Sequence, residues 1–355
     1  MASIAQRIVR SWSSRGALPI LLGPVAALMW LLVTLRRHAY RSGLMKAEFP
    51  GLPVLVVGNR IVGGAGKTPA TIAIVHHLQQ QGWHPGVLTR GYKRKADARP
   101  FTLIDQTSAD HLSAAEVGDE PLLIWRRTHV PVMVGRDRVE GGRALRQAHP
   151  GIDILVCDDG LQHLRLARQI EVVVFDERGA GNGWLLPAGP LREPIAPTAP
   201  ASLVTAPIVL YNAAQATTAL KGHLAHRGIS RLQPLGEWWA GQASDASLQP
   251  PRDGAWAVAG IAHPPKFFDQ LAALGFTNVH PVACGDHDPY TALPWPDGIA
   301  HVIVTEKDAV KMRPERVRQE RPTTQVWVAA LDFRPDTSFW QAIDSALARL
   351  PRPHL

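Results

Sequence analysis

The 355-residue chain has only two cysteines, Cys157 and Cys284, with no CxxC pair and no metal-ligand spacing. A disulfide framework and a cysteine-based metal site are excluded, and a reducing cytoplasm fits best. There is no internal repeat, heptad array or long low-complexity tract, which removes the solenoid, coiled-coil and disordered classes. Acidic residues are in deficit: 30 Asp+Glu against 38 Lys+Arg give a net charge of +8. That balance favours an anionic partner without choosing among nucleic acid, an anionic membrane surface and a phosphorylated substrate. What is present is 46% hydrophobic residues with 19% charge, in a length with room for two domains of ordinary size.

Near the N-terminus charge is missing altogether. Residues 16–35, "GALPILLGPVAALMWLLVTL", run without a charged side chain, and a helix of that length is roughly 30 Å long, enough to span a bilayer or lie in one. A cleaved signal peptide is disfavoured, because "LRRHAYRSG" puts arginines where a small-residue cleavage site belongs. Arginines flank the run on both sides (Arg7, Arg10, Arg15; Arg36, Arg37, Arg41) and give no orientation bias, while Pro19 and Pro24 are expected to interrupt a straight helix. The reading adopted is a helix in the cytoplasmic leaflet, its cations held by anionic headgroups at about 1 kcal/mol each. A buried core helix is the alternative.

Beyond this segment, apolar strands alternate with amphipathic helices, the pattern of a mostly parallel sheet covered on both faces. Strands are expected over 52–58, 86–90, 130–135, 152–157 and 170–175, with a helix in "TPATIAIVHHLQQQG" ending at Gly82. The Pro/Ala/Thr-rich stretch 193–207 interrupts the pattern, which has lapsed by roughly 230–250. It returns in "GAWAVAG", "PPKFFDQLAALG", "HVIVTEKD" and "TQVWVAALDF". The expected fold class is α/β: two α/β/α domains, the larger N-terminal one a parallel sheet of the P-loop kinase type, preceded by a membrane-associated helix. The expected boundaries are 1–46 for the helical segment, 47–230 for the nucleotide-binding domain and 231–355 for a smaller domain closing over a cleft.

Chemistry concentrates at strand ends. "GGAGKT" follows an apolar strand and opens a helix, supplying glycines for close approach of an anion, a helix N-terminus and a lysine. The spacing GxxxxGK[ST] requires its first glycine where this chain has Ile61, so the match is partial, and Gly63, Gly64 and Gly66 imply a different loop path. Magnesium bridging bound phosphates wants the Thr68 hydroxyl and a carboxylate from another strand end; "IDILVCDDGLQH" offers Asp158 and Asp159. Adjacent acids at a strand end could instead cap a helix. Further polar clusters are Asp119 and Glu120 in "EVGDEP", Arg136, Asp137 and Arg138 in "VGRDR", Arg192 and Glu193 in "LLPAGPLREP", and Asp286, His287 and Asp288 in "CGDHDPY". Singly, each reads as a solvated turn, and Asp-His-Asp at adjacent positions is a poor metal signature.

In order along the chain, "VGNRIVGGAGKTP", "TRGYKRK", "VGDEP", "DDGLQH", "LPAGPLREP", "AGIAHPPKFF", "GDHDPY" and "TEKDAVK" resemble the tetraacyldisaccharide 4'-kinases of lipid A biosynthesis, from about residue 15 to 311. The resemblance implies ATP- and Mg2+-dependent phosphorylation of the 4'-hydroxyl of a lipid-bearing glucosamine disaccharide 1-phosphate, forming lipid IVA. It implies a peripheral or monotopic enzyme at the cytoplasmic face of the bacterial inner membrane, with no nucleic acid and no obligate protein partner. By position it makes Gly63, Gly64, Ala65, Gly66, Lys67 and Thr68 the nucleotide loop. Thr68, Asp158 and Asp159 become the metal site, and Asp119 the base, paired with His287 across the two domains. Gln162 and His163 face the acceptor, with Arg138 and Arg192, or Arg136, available to an anionic group. The chain departs at Asp288, where many relatives have a second histidine, and after "LREP", where the segment is rich in Ala, Thr and Pro. Two other classes compete: a membrane-tethered GTPase-like switch with "TEKD" (305–308) as its guanine-reading loop, which lacks the leading Asn, and a non-catalytic membrane scaffold.

Overall fold

The computed structural model describes residues 4–91, 99–195, 203–242 and 248–351. The motif "TRGYKRK" beyond Gly91, and residues 196–202 of the Pro/Ala/Thr-rich stretch, lie outside them. The chain forms two compact units, one from Met1–Arg90, Asp137–His226 and Arg334–Leu355, the other from Gly91–Arg136 and Arg227–Phe333. This differs from a single boundary at 230. Residues 91–136 group with the second unit because their helix, Asp119–Thr128, packs on the short helix Glu306–Ala309, a partnership that strand-and-helix alternation along the chain does not encode.

The described strands are β1 (Val54–Gly58), β2 (Pro85–Thr89), β3 (Phe101–Ile104), β4 (Val132–Gly135), β5 (Ile154–Asp158), β6 (Ile170–Asp176), β7 (Ile208–Asn212), β8 (His223–Pro234), β9 (Trp256–Ala259), β10 (His280–Ala283), β11 (His301–Thr305) and β12 (Gln325–Pro335). In the first unit β2, β5, β1, β6 and β7 lie side by side, all parallel, and the start of β8 pairs with β7. Strands β1, β5 and β6 are buried along their whole length, as a sheet covered on both faces demands. The helix Lys67–Gln80 packs on β1, β5 and β2 and stops before Gly82, whose φ of +76° suits glycine. Because β1 sits between β5 and β6, the loops leaving β1 and β5 emerge together at the carboxyl ends of neighbouring strands, where parallel sheets build their sites.

In the second unit β10, β9, β11 and β12 are parallel, and β3 and β4 form an antiparallel pair. The helix Pro264–Ala273 buries Phe267 and Leu271 against Ala255, Ala257 and Ala259 of the β9 segment; small residues there leave room for the aromatic ring. The N-terminal segment is helical over Ile4–Ser11 and Ala17–Arg41. Pro24 lies inside the second helix without ending it, and Pro19 falls in its first turn, where a missing amide costs nothing. With a mean hydropathy of 2.2 over its best window, this helix is long and apolar enough to cross a membrane. It is not a core helix: only Pro19 and Ala26 are buried, while Ile20, Leu21, Val25, Leu28 and Leu32 are exposed.

One buried cation shapes the loop after β5. Arg168, 1% exposed, donates to the carbonyls of Gly160, Leu161, His163 and Leu166 at 3.0–3.3 Å and pairs with Glu171 at 3.3 Å. These bonds gather the "DDGLQH" loop around a single guanidinium. Arg168→Ala removes them and strands Glu171 in the interior; we expect a loss of about 3–5 kcal/mol, read from the urea midpoint, and an unchanged midpoint would dismiss the bracing role.

Candidate active site

The loop after β1 has a rigid underside. Ile61, the residue that breaks the usual glycine spacing, is fully buried, packs with Ala65, Leu185 and Leu191 and forms an antiparallel bridge with Leu191. A glycine there would leave this floor empty, which accounts for the departure. The loop carbonyls are held from several sides: Asn59 Nδ2 donates to Gly63 O at 3.1 Å, Asn212 Nδ2 to Ala65 O at 3.2 Å and Arg178 Nη1 to Val62 O at 3.1 Å. Gly66 has φ +89° and caps the helix that begins at Lys67. Gly63 and Gly64 are exposed and Thr68 is buried, so open glycines are followed by a helix N-terminus, the arrangement that receives phosphate.

Beside it, Asp158 is 1% exposed and accepts from Thr71 Oγ1 at 2.8 Å. Asp159, with φ +49°, is shared by two cations, Lys67 Nζ at 3.8 Å and Arg192 Nη1 at 3.1 Å. Arg192 also donates to Gln162 Oε1 at 3.3 Å, and Gln162 Nε2 donates to Glu193 at 3.1 Å. Glu193 in turn pairs with Arg37 of the N-terminal helix. The structure thus brings together Lys67, Thr68, Asp158, Asp159, Gln162 and Arg192 within the first unit. Arg192, expected to meet a substrate anion, is held by Asp159 and Gln162.

Arg138 is buried at 5% exposure, with its charge beside Cys157 and His163. Its guanidinium is therefore largely withdrawn from solvent. Burial, reinforced by Arg138, pushes the His163 ring down to about 4, so it is neutral at physiological pH, and its Nε2 is buried without a hydrogen-bond partner. Asp137 caps the helix Arg138–Ala148 through Val139 N and Glu140 N, and Arg136 is exposed.

The second unit holds the other cluster. Asp119 opens the helix Asp119–Thr128, where the dipole favours a carboxylate, and is 5% exposed. His287 Nδ1 lies 2.9 and 2.8 Å from its two oxygens. Both residues belong to the same unit, so the pair is formed without the domain closure expected from sequence. Burial raises the Asp119 carboxyl, but the His287 hydrogen bond and the charge of Lys307 outweigh it and hold the group below the usual carboxylate range. His287 has φ +64°, unusual for a non-glycine residue and typical of sites where geometry is imposed. Asp288, the departure from the family pattern, accepts from Tyr290 N at 2.9 Å and shapes that turn.

The "TEKD" segment does not read a base. Asp308 is fully buried and accepts from Gly260 N, Tyr290 Oη and Thr305 Oγ1 at 2.7–3.0 Å. Glu306 is spent on Arg127, Trp238 Nε1 and Leu331 N. The loop braces Asn59, Arg178 and Asn212 carry only a faint sequence signal, polar residues at or just beyond the ends of β1, β6 and β7. Lys307 stands out in the sequence only as part of the "TEKDAVK" motif. Among the described residues there is no group of three or more His, Cys, Asp and Glu side chains able to hold a metal alone.

Residues 18–348 match the family model "Tetraacyldisaccharide-1-P 4'-kinase". The chain is 54% identical over 352 residues to the tetraacyldisaccharide 4'-kinase of Leptothrix cholodnii, covering 98% of this chain and 97% of that protein. It is 50% identical over 345 residues to that of Methylibium petroleiphilum, covering 97% and 94%. Among solved structures it resembles LpxK from Aquifex aeolicus in complex with ATP, with a TM-score of 0.74, 23% identity and coverage of 94% of this chain and 99% of that one.

A Cβ on Gly66 would lie 2.4 Å from Asn212 Nδ2. Gly66→Ala therefore combines a left-handed backbone penalty of about 1–2 kcal/mol with a clash that only Asn212 can relieve. Thermal melts should show Gly66→Ala plus Asn212→Ala less destabilised than the sum of the singles; strict additivity would mean that the two do not crowd.

Proposed function

We propose a division of labour among the residues of this chain, which belongs to the tetraacyldisaccharide-1-P 4'-kinase family. The protein is a kinase of lipid A biosynthesis that phosphorylates the 4'-hydroxyl of a tetraacyldisaccharide 1-phosphate, with ATP as donor. The observation that carries the residue assignment is the convergence of an open glycine loop, the helix starting at Lys67 and the strand-end acids Asp158 and Asp159.

Phosphoryl transfer requires positioning and charge neutralisation more than covalent chemistry. In this reading the amides of 63–68 and Lys67 hold the β- and γ-phosphates, and Asp159 keeps the Lys67 ammonium at the loop until nucleotide competes for it. Thr68 with Asp158 and Asp159 would hold Mg2+: one hydroxyl and two carboxylates suit an ion that takes one or two protein carboxylates and completes its shell with phosphate oxygens and water. When bound, the ion neutralises charge on the transferring phosphoryl group. Asp119 accepts the proton of the 4'-hydroxyl and His287 orients that carboxylate. Gln162, neutral His163 and Arg192 are assigned to the acceptor, and His163 Nε2, buried without a partner, is the group in need of one. Arg138 is assigned to the wall behind them.

The exposed apolar face of Ala17–Arg41 and its arginine flanks support attachment to the cytoplasmic surface of the inner membrane as a monotopic protein, where the acyl chains of the acceptor reside. No protein partner or nucleic acid is required.

Transfer of labelled γ-phosphate from ATP to a tetraacyldisaccharide 1-phosphate by purified protein tests the whole scheme. In that assay Asp119→Ala and His287→Ala should each lower kcat by about 10²-fold or more with little change in the KM for ATP, and the double mutant should be barely worse than the weaker single. Losses that multiply, or that fall on ATP binding, would take the pair out of the reaction. Deleting residues 1–35 should loosen sedimentation with anionic vesicles most at low salt; a truncated protein that still sediments fully would move the attachment surface elsewhere.

A further inference from the structure

Of the four ionic side chains in the "TEKDAVK" stretch, one is turned toward Asp119 and His287. Glu306 and Asp308 are buried and fully bonded, and Lys311 pairs with Asp308 at 3.0 Å beneath the Tyr290 ring. Thr305 caps the short helix through Asp308 N. That cap leaves Lys307, between the two acids, on the side facing the catalytic pair. Its ammonium lies 3.0 Å from Asp286 Oδ1, 3.3 Å from His287 Nε2, 3.6 Å from Glu120 Oε1 and 3.9 Å from Asp119 Oδ2. A cation surrounded by three carboxylates and a ring nitrogen is more than a solubilising lysine.

The contacts favour one tautomer of the His287 ring. Both oxygens of Asp119 face His287 Nδ1, so that nitrogen carries the hydrogen, and Nε2 presents a lone pair to the Lys307 ammonium. The competing arrangement is close at hand, because Asp286 Oδ2 is 3.8 Å from Nε2. Without a cation between them, Asp286 would draw a proton onto Nε2 and turn the ring away from its role toward Asp119. Lys307 satisfies Asp286 and blocks that exchange.

We propose that Lys307 is a positioning residue for the Asp119–His287 pair: it holds the ring with its hydrogen on Nδ1 and keeps Asp119 a carboxylate ready to take the acceptor's proton. The proposal rests on the reading of Asp119 as base. In the step it serves, the hydroxyl proton moves to Asp119 as the sugar oxygen bonds to the γ-phosphorus. The bond from that phosphorus to the β,γ-bridging oxygen breaks, leaving its electron pair on ADP. The ring gives up no proton. Lys307 remains a cation throughout: burial pulls its ammonium down, but Asp119, Glu120 and Asp286 outweigh that and raise it.

The test compares full-length wild type, Lys307→Met and Lys307→Arg, using kcat/KM between pH 5 and 9 and the ring 15N resonances of His287, assigned by their loss in His287→Ala. Lys307→Met should lower kcat at least about tenfold with the KM for ATP within about twofold. Because Asp119 loses a neighbouring cation, its pKa rises and the acidic limb moves to higher pH. Nε2 should change from unprotonated to partly protonated. Lys307→Arg, which keeps the charge and a donor, should return the limb and the resonance toward wild type. An unchanged limb with unchanged ring resonances, or a loss confined to the KM for ATP, overturns the proposal. Asp119→Asn run alongside separates the two failures: if it retains full turnover the base is wrongly assigned, while the ring resonances of Lys307→Met still decide what the lysine does.

Discussion

The loop that leaves β5 depends on one desolvated guanidinium, Arg168. A loop that must present Asp158, Asp159, Gln162 and His163 within a few residues cannot use secondary structure to satisfy its backbone, and carbonyls turned inward without partners would be costly. Arg168 supplies donors to four of them, and Glu171 balances its charge. The interior position is expensive for a cation, and its return is geometric: the acids and the amide side chain stand on a frame that water does not loosen. The same logic operates below the phosphate loop, where Asn59, Asn212 and Arg178 hold carbonyls while the apolar floor of Ile61 and Leu191 closes the underside.

Around that frame, charge is arranged in alternation. Asp159 stands between Lys67 and Arg192, and Glu193 lies within reach of Arg37 and Gln162. In the other unit Asp119, Asp286 and Glu120 surround Lys307. Lys67, Arg192 and Lys307 are thus each partnered by carboxylates. Pre-existing partners keep long side chains ordered, so less conformational freedom is lost when the ligand arrives.

Much of this was legible in the chain. The uninterrupted apolar runs at β1, β5 and β6 announced a parallel sheet, and glycines followed by Lys67 announced the loop. Strands β7 and β8 were harder, because they follow a Pro-rich stretch and β8 alternates buried and exposed positions irregularly. The division into units was not legible at all, since it depends on Asp119–Thr128 finding Glu306–Ala309 nearly two hundred positions away. Ile61 was visible as a departure, but its cause was visible only once Leu191 lay against it. Arg138 read as an exposed strand-end cation because sequence gives a residue's neighbours in order, not its depth. The Asp119–His287 pairing came from family resemblance; no local pattern of either segment points to the other.

Under the proposed membrane attachment, the exposed apolar face of Ala17–Arg41 governs how the enzyme encounters its acceptor. A protein seated by that helix moves in a plane, and so does a substrate whose acyl chains stay in the same layer. The frequency of their meetings is then governed by how many acceptor molecules occupy each unit of membrane area. Adding inert lipid would dilute the reaction even though the number of moles per litre had not changed.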